Sequence, residues 1–417
     1  MKKSGLIKSI CFFILALTST VFSKTVSGDE PFVVSGLLYS DLKPVSIEIK
    51  EGRIHRITRP ENPDSGTPVV YIAPGFFDNQ VNGFAGVSFT FGGTDLTAEG
   101  IQKATRELWK EGITSYLPTL TTNGTDVLMK NLAVLSKAVD DPALLGSVPG
   151  FHLEGPFISP VDGYRGAHPK QHVRLPDWNE FEQLYRASGN KILEITLAPE
   201  VEGAMGFIEK CTKLGVVVAL GHHNADRAQV DQAVMNGARI STHLGNGCAN
   251  MINRHFNPLW PQLANDGLTA TLICDGFHLQ PEEVLVFFKV KGPDKTILTS
   301  DVTHFAAMPP GKYTTAEGEI VELTEEGMLK LLSQNVLYGS ASPLTRGIGN
   351  VMKFTGCSLS EAVRMASTNP ARMYNLHDRG TLEPGKRADL VVFTMDGTTL
   401  KIQKTIVKGK TVYEKAN

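Results

Sequence analysis

Eight short β-branched runs, each followed by a stretch long enough for a helix, constrain this chain more than any other feature. They fall at 69–74 (VVYIAP), 114–119 (TSYLPT), 147–154 (SVPGFHLE), 192–199 (ILEITLAP), 216–222 (VVVALGH), 239–244 (RISTHL), 269–275 (TATLICD) and 296–301 (TILTSD). Amphipathic stretches at 97–110, 126–139, 201–214, 226–236 and 281–288 lie between them. Strands apolar on both faces and joined by helical crossovers form a parallel sheet covered by helices. Periodicity alone leaves an open doubly wound sheet alive, but the count of eight predicts a (β/α)8 barrel. Beyond 301 the sequence predicts helices at 324–335 and 359–373. The two ends differ from this middle: 45–57 (VSIEIKEGRIHRI), 388–393 (ADLVVF) and 404–414 (KTIVKGKTVYE) alternate as short strands do. The expected organisation is a small β-sandwich domain built from both termini, 24–70 plus 380–417, with the catalytic barrel, 71–379, inserted between.

With 41% hydrophobic and 20% charged residues, the composition is that of a globular chain with a core, which excludes disorder. The net charge of −2, with no Lys/Arg block, gives nucleic acid nothing to hold. Residues 1–23 follow other rules. Lys2, Lys3 and Lys8 precede the apolar run SICFFILAL, and small residues at Val21 and Ser23 suit cleavage, the pattern of a secretory signal peptide. That run is shorter than the about 20 residues a membrane span needs, and no later run is longer. The expected mature chain is exported, periplasmic or extracellular, with 38 basic and 43 acidic residues. Its four cysteines, Cys211, Cys248, Cys274 and Cys357, show no framework spacing and read as buried thiols.

Nine of the eleven histidines lie between 152 and 304, several of them at strand ends. Glu154 ends the third strand, His222 the fifth, His243 the sixth, Asp275 with His278 the seventh, and Asp301 the eighth. In a barrel these ends converge on one face, where catalysis is built. A helix cap explains any one such residue; five in register argue for a site. Two histidines and a carboxylate form the ligand set of a catalytic zinc with an open position. Asp301 could then carry a proton from water to a leaving nitrogen, which describes metal-assisted hydrolysis of an amide or related bond.

Several segments then carry a resemblance: PGFFDNQVNG (74–83), HLEGPF (152–157), RGAHP (165–169), LAPE (197–200), GHHNAD (221–226), STHLGNG (241–247), CDGFHL (274–279), LTSD (298–301), NPAR (369–372) and GTLEPGKRADLVVF (380–393). The chain resembles the amidohydrolase superfamily and, within it, the N-acetylglucosamine-6-phosphate deacetylases. The resemblance implies hydrolysis of the acetamide of N-acetylglucosamine-6-phosphate to glucosamine-6-phosphate and acetate. It implies Glu154, His222 and His243 as ligands of one divalent ion, most simply zinc, and Asp301 as general base and then acid. It further implies that His168 polarises the acetamide carbonyl and that His278 and Asp275 lie at the sugar. Asn246 and Gly247 would offer amides to the phosphate, and Ala167, Leu337 and Gly339 would line the substrate. Arg254 would reach the phosphate from a partner subunit, implying a homodimer. Where many members carry His-x-His, this chain has Gln80-Val81-Asn82; amides are poor ligands beside imidazole, so one metal is expected, with Gln80 orienting water or substrate.

Three features stand apart from that resemblance. A leader is unexpected on an enzyme of phosphorylated sugars, the loop 242–256 (THLGNGCANMINRHF) is longer and richer in Asn than the usual phosphate loop, and His304 stands where the family usually has small apolar residues. The leader and His304 favour an alternative: an exported amidohydrolase acting on another N-acyl amino sugar or amide. A non-catalytic binding protein on the same barrel is the third reading, opposed by the complete set Glu154, His222, His243 and Asp301. No G-x-S-x-G elbow or G-x-G-x-x-G loop supports serine hydrolase or dinucleotide chemistry.

Overall fold

The structure is a computed structural model that describes residues 30–60, 69–91, 96–315, 318–334 and 336–416. The leader expected at 1–23 lies outside the described residues.

Eight parallel strands form one sheet in sequence order: Phe76–Val81, Ile113–Thr121, Phe151–Glu154, Ile192–Leu197, Val217–Leu220, Ala238–Ser241, Thr269–Ile273 and Thr296–Thr299. A parallel bridge between Val81 and Val302, with the Asn82 amide donating to the Val302 carbonyl at 2.8 Å, joins the last strand to the first and closes the ring. Helices Ala98–Lys110, Thr125–Val139, Trp178–Ala187, Ala204–Lys213, Arg227–Met235, Leu259–Ala264, Pro281–Lys291 and Leu344–Thr355 surround it. Their entries follow capping rules: Thr97, Asp177 and Asp226 accept from backbone N–H groups of the first turn. One apolar core, including Phe76, Tyr116, Leu120, Phe151, Leu153 and Leu220, fills the space between helices and strands.

Seven of the eight expected strands are barrel strands, but the first is not. Tyr71–Pro74 belongs to a seven-stranded sheet made from both ends of the chain, pairing antiparallel with Leu390–Phe393 and parallel with Leu37–Leu38. The first barrel strand is the following run, FFDNQV, whose polar residues face a polar barrel interior. Asp78 there accepts from Ser300 and Thr299, while Asn79 donates to Glu194 and to the hydroxyl of Tyr374. Gly75 makes the join between the two sheets: a Cβ there would lie 2.1 Å from Thr114 Oγ1. Val45, Ile47, Ile49, Ile72, Leu390 and Ile406 form the core of the terminal sheet.

Among the described residues of 324–335 the expected helix does not form. Ile320–Leu323 and Leu329–Leu331 are antiparallel strands of a four-stranded sheet, with Gly327 at φ +89° in the turn. Leu329 and Leu331 alternate inward onto Phe305 and Val321, a period-two pattern. The segment 359–373 is helical as expected, with a π-turn at Arg364–Thr368. No helix among the described residues is long and apolar enough to cross a membrane. The four described cysteines are free.

Candidate active site

The strand ends put five polar groups around one spot. Glu154 closes the third strand; His222, His243, Asp275 and Asp301 each lie two residues beyond the ends of strands five to eight. His222, His243 and Asp301 hold positive φ of 52°, 30° and 53°, a region that non-glycine residues seldom occupy. Such backbone strain persists where the surrounding fold imposes it and clusters at functional sites.

Glu154 Oε1 lies 2.9 Å from His243 Nε2 and 3.3 Å from His222 Nε2, and the two nitrogens are 3.1 Å apart. Ligands of a tetrahedral zinc-sized ion at about 2.0–2.1 Å stand roughly 3.3 Å from one another, so the triangle has the edge lengths of such a set. The donor chemistry agrees. His222 Nδ1 lies 3.1 Å from the Tyr164 carbonyl, which can only accept, so the neutral ring carries its hydrogen on Nδ1 and turns the Nε2 lone pair inward. Two imidazole nitrogens packed this closely in a buried site are what a cation between them relieves. The residues present therefore fit one divalent ion.

His168 is the fourth imidazole. Its Nε2 is 3.2 Å from His222 Nε2 and 4.0 Å from Glu154 Oε2, and its Nδ1 is 2.8 Å from Thr122 Oγ1. Glu154, His168 and His222 alone could also hold an ion by spacing, but the His243 contacts with Glu154 are shorter. Burial, together with the neighbouring His222, pushes His168 down to about 3, so its ring is neutral. Burial alone would raise Glu154, yet the His222 and His243 rings packed against it hold it well below the usual carboxylate range.

Asp301 Oδ1 accepts from Gln80 Nε2 at 2.9 Å and from Asn82 Nδ2 at 2.7 Å. The same Gln80 nitrogen donates to Glu154 Oε1 at 2.9 Å. Both amides thus turn hydrogens, not lone pairs, toward the carboxylates. Burial and the nearby Glu154 charge raise the Asp301 pKa.

These groups open into a cavity of about 960 Å³, at the large end of small-molecule sites. Glu154, Ala167, His168, His222, His243, Asn246, Gly247, His278, Asp301, Leu337 and Gly339 all line it. His304 lines it too, its ring 3.9 Å from that of Phe305 and without a hydrogen bond among the described residues. Burial lowers His304 to about 4. Two residues expected at the substrate do not line the cavity: Gln80 is buried between Glu154 and Asp301, and Asp275 is buried behind His278. Arg254, expected to act from a partner subunit, lies outside the cavity of its own chain, on an exposed loop beside His255. Asn82 and Thr122, which hold Asp301 and His168, carried no assigned role in the sequence. Asn82 had a signal, its place in the altered His-x-His pattern; a threonine on a barrel strand has none.

A sequence profile described as the amidohydrolase family matches residues 71–412. The N-acetylglucosamine-6-phosphate deacetylase of Bos taurus is 32% identical over 354 residues, 82% of this chain and 83% of that protein. The enzyme of the same name from Bacillus subtilis is 30% identical over 377 residues, 88% of this chain and 92% of its own. Among solved structures, a variant N-acetyl-D-glucosamine-6-phosphate deacetylase from Mycobacterium smegmatis, in complex with N-acetyl-D-glucosamine-6-phosphate, superimposes with TM-score 0.81 at 26% identity, covering 92% of this chain and 98% of that one.

Proposed function

The chain belongs to the amidohydrolase family, and from that premise we propose that it hydrolyses the acetamide of N-acetylglucosamine-6-phosphate to glucosamine-6-phosphate and acetate. The observation that carries this is the triangle of Glu154, His222 and His243 facing the same cavity as the Asp301 carboxylate. A divalent cation on Glu154, His222 and His243, zinc by the nitrogen-rich donor set, supplies Lewis acidity that polarises a carbonyl and acidifies water. One ion per chain is supported by the Gln80 and Asn82 amides, whose hydrogens occupy the side where a second set of ligands would need lone pairs.

The chain's own residues then divide the work. With Oδ1 held by two amides, Asp301 offers Oδ2 to take the proton of the attacking water and return it to the departing nitrogen. His168, its Nδ1 held 2.8 Å from the Thr122 hydroxyl, would donate Nε2–H to the acetamide oxygen as charge builds there. His278 faces the sugar. Asn246, whose Nδ2 is buried without a partner among the described residues, and the Gly247 amide point to the phosphate site.

Arg254 completes that site in a homodimer, reaching the partner's cavity. Met251, Phe256 and Trp260 on the same segment are 91%, 85% and 51% exposed, and a second copy would cover them. The leader-like residues 1–23 support export of the enzyme. His304 on the cavity wall and that leader favour a second reading, another N-acyl amino sugar.

The test is acetate release by the zinc-loaded protein on N-acetylglucosamine and its 6-phosphate at equal concentration. A strong preference for the phosphate, lost in Arg254→Ala, is expected. Activity on the unphosphorylated sugar alone would move the assignment to the second reading, and activity on neither would remove the deacetylase assignment.

A further inference from the structure

His278 lines the cavity, but the group that governs it does not. Asp275 Oδ2 lies 2.7 Å from His278 Nδ1 and accepts from Ser340 Oγ at 3.2 Å; its Oδ1 accepts the backbone N–H groups of Phe277 at 2.8 Å and His278 at 2.9 Å. Although burial would raise Asp275, the His278 bond and these backbone donors hold it below its usual range, as an anion. An ionised carboxylate only accepts. In the neutral form of the His278 ring the hydrogen is therefore on Nδ1, which leaves Nε2 a lone pair on the ring edge away from Asp275.

Ser340 connects this pair to Asp301. Its backbone N–H donates to the Asp301 carbonyl at 3.0 Å, and its carbonyl accepts from Thr303 at 2.9 Å, forming a parallel bridge to Val302. Its Oγ accepts from the Ser342 amide at 2.9 Å, so the hydroxyl hydrogen is free to go to Asp275. One buried carboxylate thus joins the loop after the seventh strand to the loop that carries the proton-transfer group.

We infer that Asp275 is a positioning residue for substrate recognition: with Ser340 it holds His278 in the tautomer whose Nε2 accepts a hydrogen bond from a sugar hydroxyl, and it ties that ring to the segment bearing Asp301. The inference deepens the deacetylase reading and rests on it for the identity of the sugar, but not for the tautomer. It makes the site a reader of a hydroxyl hydrogen. A sugar lacking that hydroxyl leaves the lone pair unmatched in a buried site, which costs more than a missing apolar contact.

Two measurements test it. Long-range proton–nitrogen NMR spectra of protein labelled with 15N-histidine, with His278 assigned by its loss in His278→Gln, report the tautomer without any turnover. The Nδ1–H form is expected in the wild type. In Asp275→Asn the amide nitrogen donates where the carboxylate accepted, so the Nε2–H form should replace it. Steady-state kinetics on the parent sugar phosphate and its 3-deoxy and 4-deoxy analogues form the second arm. One analogue should be disfavoured at least about 30-fold by the wild type; Asp275→Asn should bring that ratio to within about threefold of unity, chiefly through KM. Ser340→Ala should lower the ratio and Ser340→Thr, which keeps the hydroxyl, should restore it. Wild-type His278 in the Nε2–H form, or an analogue ratio unchanged in Asp275→Asn, overturns the inference. If Asp275→Asn does not fold, the wild-type spectrum and the Ser340 pair decide. Absence of turnover on every N-acyl sugar would overturn the deacetylase reading, while the spectra would still settle the tautomer.

Discussion

Asn82→Asp tests the arrangement around Asp301 most sharply, because it changes hydrogen-bond polarity and charge with almost no change in shape. Asn82 Nδ2 stands 2.7 Å from Asp301 Oδ1; in the variant an oxygen replaces it, and two carboxylates face each other. With charge centres about 4 Å apart and an effective dielectric near 20, their repulsion is about 4 kcal/mol. At about 1.4 kcal/mol per unit this corresponds to roughly three pH units. The Gln80 amide still donates to the same oxygen, and the cavity admits solvent, so a shift of about two units is expected. The added negative charge favours the protonated form of Asp301, and a base must be deprotonated to act. The acidic limb of the kcat–pH profile therefore moves upward by about two units; at a pH below both limbs turnover falls about 100-fold, and raising the pH recovers it. Asn82→Ala removes one donor without adding charge and should move the limb less. The assay is acetate release from about pH 5 to 10, with metal content measured in parallel because a carboxylate at 82 could itself bind metal. A profile for Asn82→Asp that superimposes on the wild type at equal metal content would refute the proposed hold on Asp301.

Three further outcomes are expected. His243→Ala removes one of three converging donor atoms and should weaken zinc retention about 100-fold or more in competition with a chelator; full retention would shift the ligand set toward Glu154, His168 and His222. Lys291→Met should shorten the half-life at elevated temperature severalfold, because the ammonium donates to the carbonyls of Gln262, Asn265 and Leu268 at 2.7, 2.8 and 3.3 Å. An unchanged half-life would mean that water serves those carbonyls equally well. His304→Ala should alter the ratio of activity on phosphorylated and unphosphorylated sugar while metal content stays at the wild-type level; an identical ratio would remove His304 from substrate selection.

The barrel was legible because seven of its strands are buried on both faces and therefore read as continuous apolar runs. Phe76–Val81 escaped because Asp78 and Gln80 belong to a polar interior, which breaks the apolar pattern, while the more β-branched run before it joins the other sheet. The hairpin around Gly327 was misread because Met328, Leu329, Leu331 and Leu332 mimic helical spacing; pairing with Val321 and Leu323 decides the period, and pairing is not local information. The metal-site candidates were legible as strand-end residues, since barrel topology alone brings those ends together. The part played by Asp275 was not legible. It depends on Ser340, 65 residues away, and on which oxygen meets which hydrogen.

The order of strands in the terminal sheet sets a schedule for synthesis. Tyr71–Pro74 is flanked by Phe32–Leu38 on one side and Leu390–Asp396 on the other. Its second neighbour emerges more than 300 residues later. At roughly 5–20 residues per second, that strand waits on the order of half a minute with one edge unpaired. A ribosome-bound chain can assemble most of the barrel during that wait but cannot complete the sheet that joins its ends. Removing the last 30 or so residues would therefore leave a permanently open edge beside Gly75, and such a truncation is expected to accumulate as aggregate rather than as a smaller folded enzyme.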